Sequence, residues 1–512
     1  MMSSSRRRSI ASRCVILPII LINMCFGQEA RVVPQPAFVP KITISQETTW
    51  ATEPLDERGF VDYFAVINRR FSVGVTPENN SVVPLYRALG PKPDGTRQPE
   101  EFFRLLGMPV PPDDGKYYSA LREGLPETTY QAPWKSADFP WIVAWFRSQE
   151  EQLNAVVEAT ERTEYFSPLV NGPDEPLMMV LLPGIQRSRD FARALVARAM
   201  WKLGEGSRFD AWRDLIATHR LGRLVGRGPT GIEGLVGAAI ERQAIEGELR
   251  LISETQPPAK QVALFLRQLQ RLPSRGSFAD KIDSCERAIY LDAYIRLARR
   301  RLTFEEAVDG PAFEDVSFRP LVEEALIREI DWDAVLCSCN RWFDRLVAVS
   351  HLKSANERRN AMRELNEDLL KLTQNRKQKY AWLVVLAEPS TRTQFTADLL
   401  VSRFLPNVQH LFRHEDRVIQ KTRNLELAFA LSAWRGDHDS YPKTLAELAP
   451  KYLESLPLDL FTDQPLRYER TADGYRLYSF GPNGTDDEGR GEDDLPRGDD
   501  LAVQMPMPLR KP

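Results

Sequence analysis

The sequence predicts a mainly α-helical protein that ends in a small α+β module. Apolar residues recur at helical spacing from Trp141 to about Arg403, and a second amphipathic pattern runs from Val408 to about Arg435. Two short strand-like runs, 465–470 and 475–480, flank Ala472-Asp473-Gly474, which suits a tight hairpin turn. We therefore expect an irregular helical domain, followed by a long helix that lies on a short antiparallel sheet.

The composition is typical of a folded protein with more than one core. The chain has 512 residues, of which 43% are hydrophobic and 27% are charged, and this length predicts two or three domains. Its 68 basic and 71 acidic residues nearly balance, so we expect no nucleic-acid partner. After position 27 only Cys285, Cys337 and Cys339 remain, and this odd number does not indicate a disulfide framework.

The first 27 residues have the features of an export signal. A positively charged start precedes the short apolar run Cys14–Met24, and Gly27 or Ala30 offers a small residue for cleavage. The run is shorter than the roughly 20 apolar residues that a spanning helix needs. We expect a signal peptide, 1–27, and a location in the periplasm or cell envelope. The alternative is an uncleaved N-terminal anchor, which would be the protein's membrane contact.

The rest of the chain divides by composition into three regions. Residues 28–137 are rich in proline and glycine, and their aromatic side chains predict an irregular region packed on the next domain. Residues 138–404 form the predicted helical domain, and 405–512 form the C-terminal module. Within the helical domain, 195–206 and 211–215 predict a helical hairpin similar to one tetratricopeptide unit. A stacked array of such units is the alternative to an irregular helical domain.

Another glycine-rich segment, Gly228–Ile240, looks like a prepilin cleavage site followed by its helix. Such a site lies near the N-terminus and precedes an apolar helix, whereas this segment lies inside the chain and charged residues follow it closely. We interpret its glycines as a surface for close helix packing.

Short motifs follow one another through the C-terminal module. They are Ala433–Pro442 at the end of the long helix, Leu456–Asp459, the two strand-like runs, and the turn Gly481–Gly484. Their order and spacing resemble the globular head of type II secretion system major pseudopilins. The resemblance covers about a sixth of the chain and implies a long helix on a small antiparallel sheet. Because the preceding helix is charged, we do not expect assembly into a pseudopilus.

The resemblance also implies a calcium ion, since major pseudopilins bind Ca²⁺ in the loop after the closing turn. This loop is acidic here, and hard oxygen ligands on a flexible glycine-rich loop suit Ca²⁺. We expect Asp486, Asp487, Asp493 and Asp494 to hold the ion. The alternative is a solvated acidic tail without a metal.

No catalytic motif stands out in the sequence in its proper context. We expect a non-enzymatic exported protein of the cell envelope, with an interaction or structural role. Its expected partners are other envelope or secretion-machinery proteins, an inference that rests on the resemblance alone. The alternative is an envelope hydrolase with a site in the helical domain, where this domain meets the proline-rich region.

Overall fold

The computed structural model describes residues 40–121, 124–172, 174–180, 182–303, 306, 330–352, 354–378 and 388–508. For 183, 373–378 and 403–411 it describes the backbone alone. The predicted signal peptide, 1–27, lies outside the described residues. Within these ranges no helix combines the length and the apolar character needed to cross a bilayer.

The helices before residue 160 are short. They are α1 (Tyr63–Phe71), α2 (Val82–Leu89), α3 (Glu100–Leu105), α4 (Thr128–Gln131), α5 (Pro140–Ser148) and α6 (Glu150–Ala159). Three aromatic residues of this region contribute to the interior: Tyr63 is buried, and Phe60 and Phe64 pack against a core that includes α12. Because the backbone turns often here, most of its hydrogen bonds are made by turns and loops.

The middle of the chain folds into longer helices: α7 (Pro183–Gly204), α8 (Arg208–Val225), α9 (Gly231–Thr255), α10 (Ala259–Gln270), α11 (Phe278–Lys281) and α12 (Arg287–Ala298). A single π-helical turn, Ile282–Glu286, joins α11 to α12. Helices α7 and α8 form the predicted hairpin, and Gly206 between them adopts a φ of +85°. A buried ion pair, Arg198 Nη2 to Asp214 Oδ1 at 2.7 Å, joins the two helices.

Glycines allow α8 and α9 to approach closely. A Cβ atom on Gly237 of α9 would lie 2.6 Å from the carbonyl oxygen of Gly222 on α8, and also 2.6 Å from Gly226 Cα. Any side chain larger than hydrogen would therefore force the helices apart. This is the close packing that the glycine-rich segment predicts.

The remaining helices are α13 (Trp332–Ser350), α14 (Ala355–Gln378) and α15 (Pro389–His438). Helix α15 begins at Pro389, so the prediction of a start at Val408 is wrong. Pro406 lies inside α15 and does not end it. Proline removes one backbone hydrogen bond and costs a helix interior about 3 kcal/mol. A 50-residue helix that is packed in a hydrophobic core on either side of this residue tolerates that loss.

Helix α15 joins two hydrophobic cores. Its first half, with Phe395 and Leu399, packs with α1, α12 and α13 in the second core. Its last turns pack with α2 and α5 to α10 in the first core, which also includes the C-terminal sheet. In these turns the sequence predicts one apolar face, yet Leu427 and Ala430 on the other sides are also fully buried. The helix crosses the predicted boundary at 404/405, and the described residues form one compact unit.

The sheet consists of β1 (Arg467–Arg470), β2 (Tyr475–Ser479) and β3 (Leu501–Met505) in the antiparallel order β1-β2-β3. Strands β1 and β2 form the predicted hairpin, in which Arg470 pairs with Tyr475. Strand β3 was not predicted. It pairs Leu477 with Val503, and its side chains alternate between buried and exposed positions. Since α15 contacts β2 and β3, the mainly α class with a small α+β module is confirmed.

Charged side chains are buried where α8, α9 and α15 meet. His219 of α8 is fully buried, with its Nδ1 3.1 Å from both carboxylate oxygens of Glu248 and its Nε2 3.4 Å from Glu241. Arg223 and Arg275 also bind Glu241, at 2.5 Å and 2.7 Å. Arg275 in turn donates to Thr422 of α15 at 2.6 Å. We call these residues the buried charge network.

The network shifts the pKa values of its members in opposite directions. Burial lowers the pKa of His219, but Glu248 and Glu241 outweigh burial and raise it above its usual value. Burial raises the pKa of Glu241, but Arg275, His219 and Arg223 outweigh burial and lower it to about 2. An ionised Glu241 and a protonated His219 therefore stabilise each other.

We expect His219→Gln to lower the free energy of unfolding by about 3 kcal/mol at pH 6, because Glu248 then lacks a cationic partner in the core. The raised pKa of His219 means that its contribution is present below about pH 6.5. The contribution is lost as the pH rises through the folded-state pKa, so the effect of the substitution should shrink. Urea denaturation at several pH values measures the loss of unfolding free energy at pH 6 and its decrease at higher pH.

His351→Gln serves as the matched control, because His351 is exposed at the end of α13. Its effect should stay within about 0.5 kcal/mol. Equal denaturation midpoints for His219→Gln and the unsubstituted protein would contradict this account of the network.

Candidate metal centre

A buried aspartate organises the base of the C-terminal module. Asp459 lies in the Leu456–Asp459 motif and is almost fully buried. Its Oδ1 accepts hydrogen bonds from Phe461 N at 2.8 Å and Ser479 Oγ at 3.1 Å, and its Oδ2 accepts from Phe480 N at 2.8 Å. The carboxylate thus ties the loop after the motif to the end of β2, where the acidic loop begins.

The acidic loop, residues 481–500, connects β2 to β3. Gly481 begins it with a φ of +67°, and a Cβ atom there would lie 2.2 Å from the carbonyl oxygen of Asp499. The two ends of the loop therefore touch. Asp500 holds the middle of the loop, because its Oδ2 accepts hydrogen bonds from Asp487 N at 3.1 Å and Gly489 N at 2.7 Å.

Three carboxylates converge where the loop closes. Asp487, Asp499 and Asp500 each place one oxygen within 4.8 Å of the others. Asp500 is only 3% exposed. The Oδ1 atoms of Asp499 and Asp500 are buried and make no hydrogen bond to any described residue. Buried carboxylate oxygens without a donor are costly, so this arrangement is suited to a cation.

The pKa values of buried Asp500 and half-buried Asp499 reflect the same unfavourable environment. Burial raises the pKa of Asp500 to about 6, and the neighbouring Asp487 adds to the increase. Burial also raises the pKa of Asp499, against the opposing effects of the Asn483 N–H group and Arg417. Without a cation, the fold therefore favours protonation of these groups.

The structure brings one of the four predicted ligands together with two aspartates that were not predicted. Asp487 belongs to the triad, whereas the other three predicted ligands are exposed outside it. Asp486 accepts a hydrogen bond from Tyr478 Oη at 3.2 Å, and Asp494 accepts one from Gly491 N at 2.7 Å. Asp493 is exposed on the loop surface.

Asp499 and Asp500 were not among the predicted ligands, although the sequence contains a signal for them. They directly precede the alternating run Leu501-Ala502-Val503-Gln504-Met505, whose pattern is that of a half-buried strand. Recognising that strand would have placed both aspartates at the edge of the sheet, beside the closing turn.

The donor set of the triad fits a hard cation. All three residues offer carboxylate oxygen, and neither nitrogen nor sulfur belongs to the cluster. Oxygen-only ligands on a glycine-rich loop suit Ca²⁺ better than zinc or copper. Asp487, Asp499 and Asp500 would hold the ion, which would screen their mutual repulsion.

The acidic loop also contacts the helical part of the protein. Arg359 of α14 donates to the carbonyl oxygen of Pro482 at 2.8 Å. Arg417 of α15 forms an ion pair with Glu492 at 2.9 Å. Two helices are therefore positioned to respond to the conformation of the loop.

No known protein family, no curated protein and no solved structure matches this chain. The interpretation of the site accordingly rests on its own geometry.

In a chelator, we expect Asp500→Asn to stabilise the protein increasingly as the pH rises from about 4 to 7. The raised pKa of Asp500 means that its stabilising form is the protonated one, present below about pH 4. This stability is lost as the pH rises through about 6. Asparagine keeps a carbonyl oxygen for the two N–H donors and carries no charge. Thermal unfolding in EDTA measures the difference.

Asp493→Asn is the matched control, because it removes the same charge from an exposed position of the same loop. Its effect on unfolding should vary little over this pH range. A difference between Asp500→Asn and the unsubstituted protein that does not change with pH would contradict the assignment.

Proposed function

We propose that this chain is a non-enzymatic exported protein of the cell envelope, with a pseudopilin-like head that Ca²⁺ stabilises. The head is the segment from α15 to β3, carried on the helical part of the protein. Its proposed role is to bind another protein of the envelope or of secretion machinery.

Two features support the head. The order of its parts is a long helix, the Asp459 step, the β1-β2 hairpin, a closing turn and an acidic loop. This order resembles that of a major pseudopilin head. Tyr468 Oη also donates to the carbonyl oxygen of Pro442 at 2.9 Å, so the end of the helix is joined to the hairpin. Export is supported by the charged and apolar pattern of the first 27 residues.

The observation that carries the proposal is the pair of buried, unpartnered carboxylate oxygens on Asp499 and Asp500. Adjacent carboxylates repel one another, and each would gain more from solvent than from this position. A bound cation would compensate for both effects. A solvated acidic tail would not need to bury Asp500.

One feature favours the alternative of a hydrolase: a cleft that contains a carboxylate with a raised pKa. It lies between the proline-rich region and α12, and it includes Asp292, whose pKa is raised by burial. However, both oxygens of Asp292 accept hydrogen bonds from Arg296 Nε at 2.9 Å, and Leu177 N donates to it at 2.8 Å. A carboxylate held in this way is poorly placed for proton transfer, so binding remains the proposed role.

Calorimetric titration of the EDTA-treated full chain should show one saturable Ca²⁺ site. Asp499→Asn and Asp500→Asn should each weaken binding by at least about tenfold, because affinity follows the number of charged ligands. Mg²⁺ should bind more weakly, since it demands a tighter octahedral arrangement.

Asp493→Asn and Asp494→Asn are the controls in this titration and should bind Ca²⁺ like the unsubstituted protein. Loss of binding in these two variants alone would move the site away from the triad. A folded chain that binds no Ca²⁺ would overturn the calcium proposal.

Export should be measurable with a fusion of residues 1–60 to a reporter enzyme that is active only outside the cytoplasm. Deleting residues 14–24 should abolish reporter activity, because the apolar run is what an export signal requires. Deleting residues 28–38, of the same length, should leave the activity unchanged. A fusion no more active than the reporter alone would contradict export.

A further inference from the structure

A cleft of about 780 Å³ lies on the side of the protein formed by α1, the segment before it and α12. Its walls come from 54–72, 101–105, 166–172 and 292–301. The volume lies within the range of about 300–1,000 Å³ that is usual for small-molecule sites. This cleft contains no residue of the acidic loop and is independent of the calcium proposal.

Six arginines line the cleft, and four of them lie near one another: Arg58, Arg296, Arg299 and Arg301. Three of them are held by acceptors on the protein: Arg58 and Arg301 both bind Asp174, at 3.0 Å and 2.5 Å, and Arg296 binds Asp292. These pairs fix the positions of the three side chains. The negative charge of Asp174 is already paired with two arginines and does not compensate the charge of the fourth arginine.

The fourth arginine, Arg299, has no such partner among the residues that the structure describes. Its guanidinium lies 3.7 Å from the centre of the Phe60 ring. Within the described part of the chain, no carboxylate or other acceptor is within hydrogen-bonding distance of this guanidinium. Stacking on Phe60 covers one face of the group and leaves its N–H donors, which point outward from the edge, available to a ligand.

The electrostatic environment favours an added anion at this point. Burial lowers the pKa of Arg299, and Arg301, Arg58 and Arg296 lower it further, while Asp56 opposes them. An anion beside Arg299 would relieve this excess of positive charge.

The rest of the cleft supplies apolar surface. Leu55, Phe64, Leu105 and Val170 line it, and all four are at least partly exposed. A ligand that fills the cleft therefore meets apolar walls as well as guanidinium donors.

We propose that this cleft binds a small organic anion, with its carboxylate or phosphate group on Arg299 and its apolar part against the cleft wall. A planar, bidentate donor suits both of these oxyanions. The guanidinium of Arg299 makes the site selective for anions. Because the walls are apolar, an organic anion should bind more tightly than inorganic phosphate, which has no apolar part.

Fluorescence titration of the full chain with 8-anilinonaphthalene-1-sulfonate, an aromatic anion, tests the proposal. We expect saturable binding that Arg299→Gln weakens at least about tenfold, a change of about 1.4 kcal/mol. Arg345→Gln is the matched control, because Arg345 is also stacked on an aromatic ring, Trp342, at 4.5 Å but lies outside the cleft. It should leave the binding unchanged.

Competition on the unsubstituted protein keeps the test independent of how the variants fold. Benzoate and phenyl phosphate should both displace the dye. The compound that binds more tightly identifies the oxyanion that the site prefers. Benzyl alcohol at the same concentration should not displace it. Equal displacement by the neutral alcohol, an absence of saturable binding, or equal affinity in folded Arg299→Gln would overturn the proposal.

Discussion

The packing of helix α15 into both hydrophobic cores is the interaction on which the rest of the described structure depends. Its first half completes the second core, and its last turns complete the first core together with the sheet. Leu425, Phe429 and Leu431 are fully buried there. An isolated two-stranded hairpin is marginal by itself, and these strands have only 4 or 5 residues each. Pairing with β3 and packing on α15 therefore supply the stability that the hairpin lacks. The helix is therefore both the last element of the helical body and the first element of the head.

The same helix determines where the carboxylate triad forms. Asn424 of α15 donates to the carbonyl oxygen of Leu501 at 2.7 Å, and Gln420 accepts a hydrogen bond from Leu460 N at 2.7 Å. The first bond fixes the start of β3, directly after Asp499 and Asp500. The second bond fixes Leu460, the residue directly after Asp459. Polar groups buried at this depth need their partners, so the aspartates cannot turn away to solvent without breaking the contact between helix and strand. The proposed cation stabilises an arrangement that the packing imposes.

The sequence predicts those parts of the fold that depend on local periodicity. The α7–α8 hairpin, the β1-β2 hairpin and the close approach of Gly222 to Gly237 all follow from residues near one another in the chain. The start of α15 does not, because Pro406 is a local signal for a break that tertiary packing overrides. Strand β3 was not predicted, because the acidic residues before Leu501 hide its alternating pattern. Without this strand, Asp499 and Asp500 could not be placed beside the closing turn and were not predicted as ligands. The position of Arg299 on Phe60, with no acceptor from the described residues, depends on contacts between distant segments, which no local pattern contains.

Hydrogen exchange along the full chain, with Ca²⁺ and with EDTA, tests the central claim most directly. The account predicts that Ca²⁺ slows exchange of the Asp487 and Gly489 amides, which donate to Asp500, and of the strand that follows. Amides in α7 and α8, far along the chain from the loop, should exchange at the same rate in both conditions. Ca²⁺-independent exchange of residues 481–505 in a folded protein would contradict the claim, because the triad would then bind no cation that matters to the head.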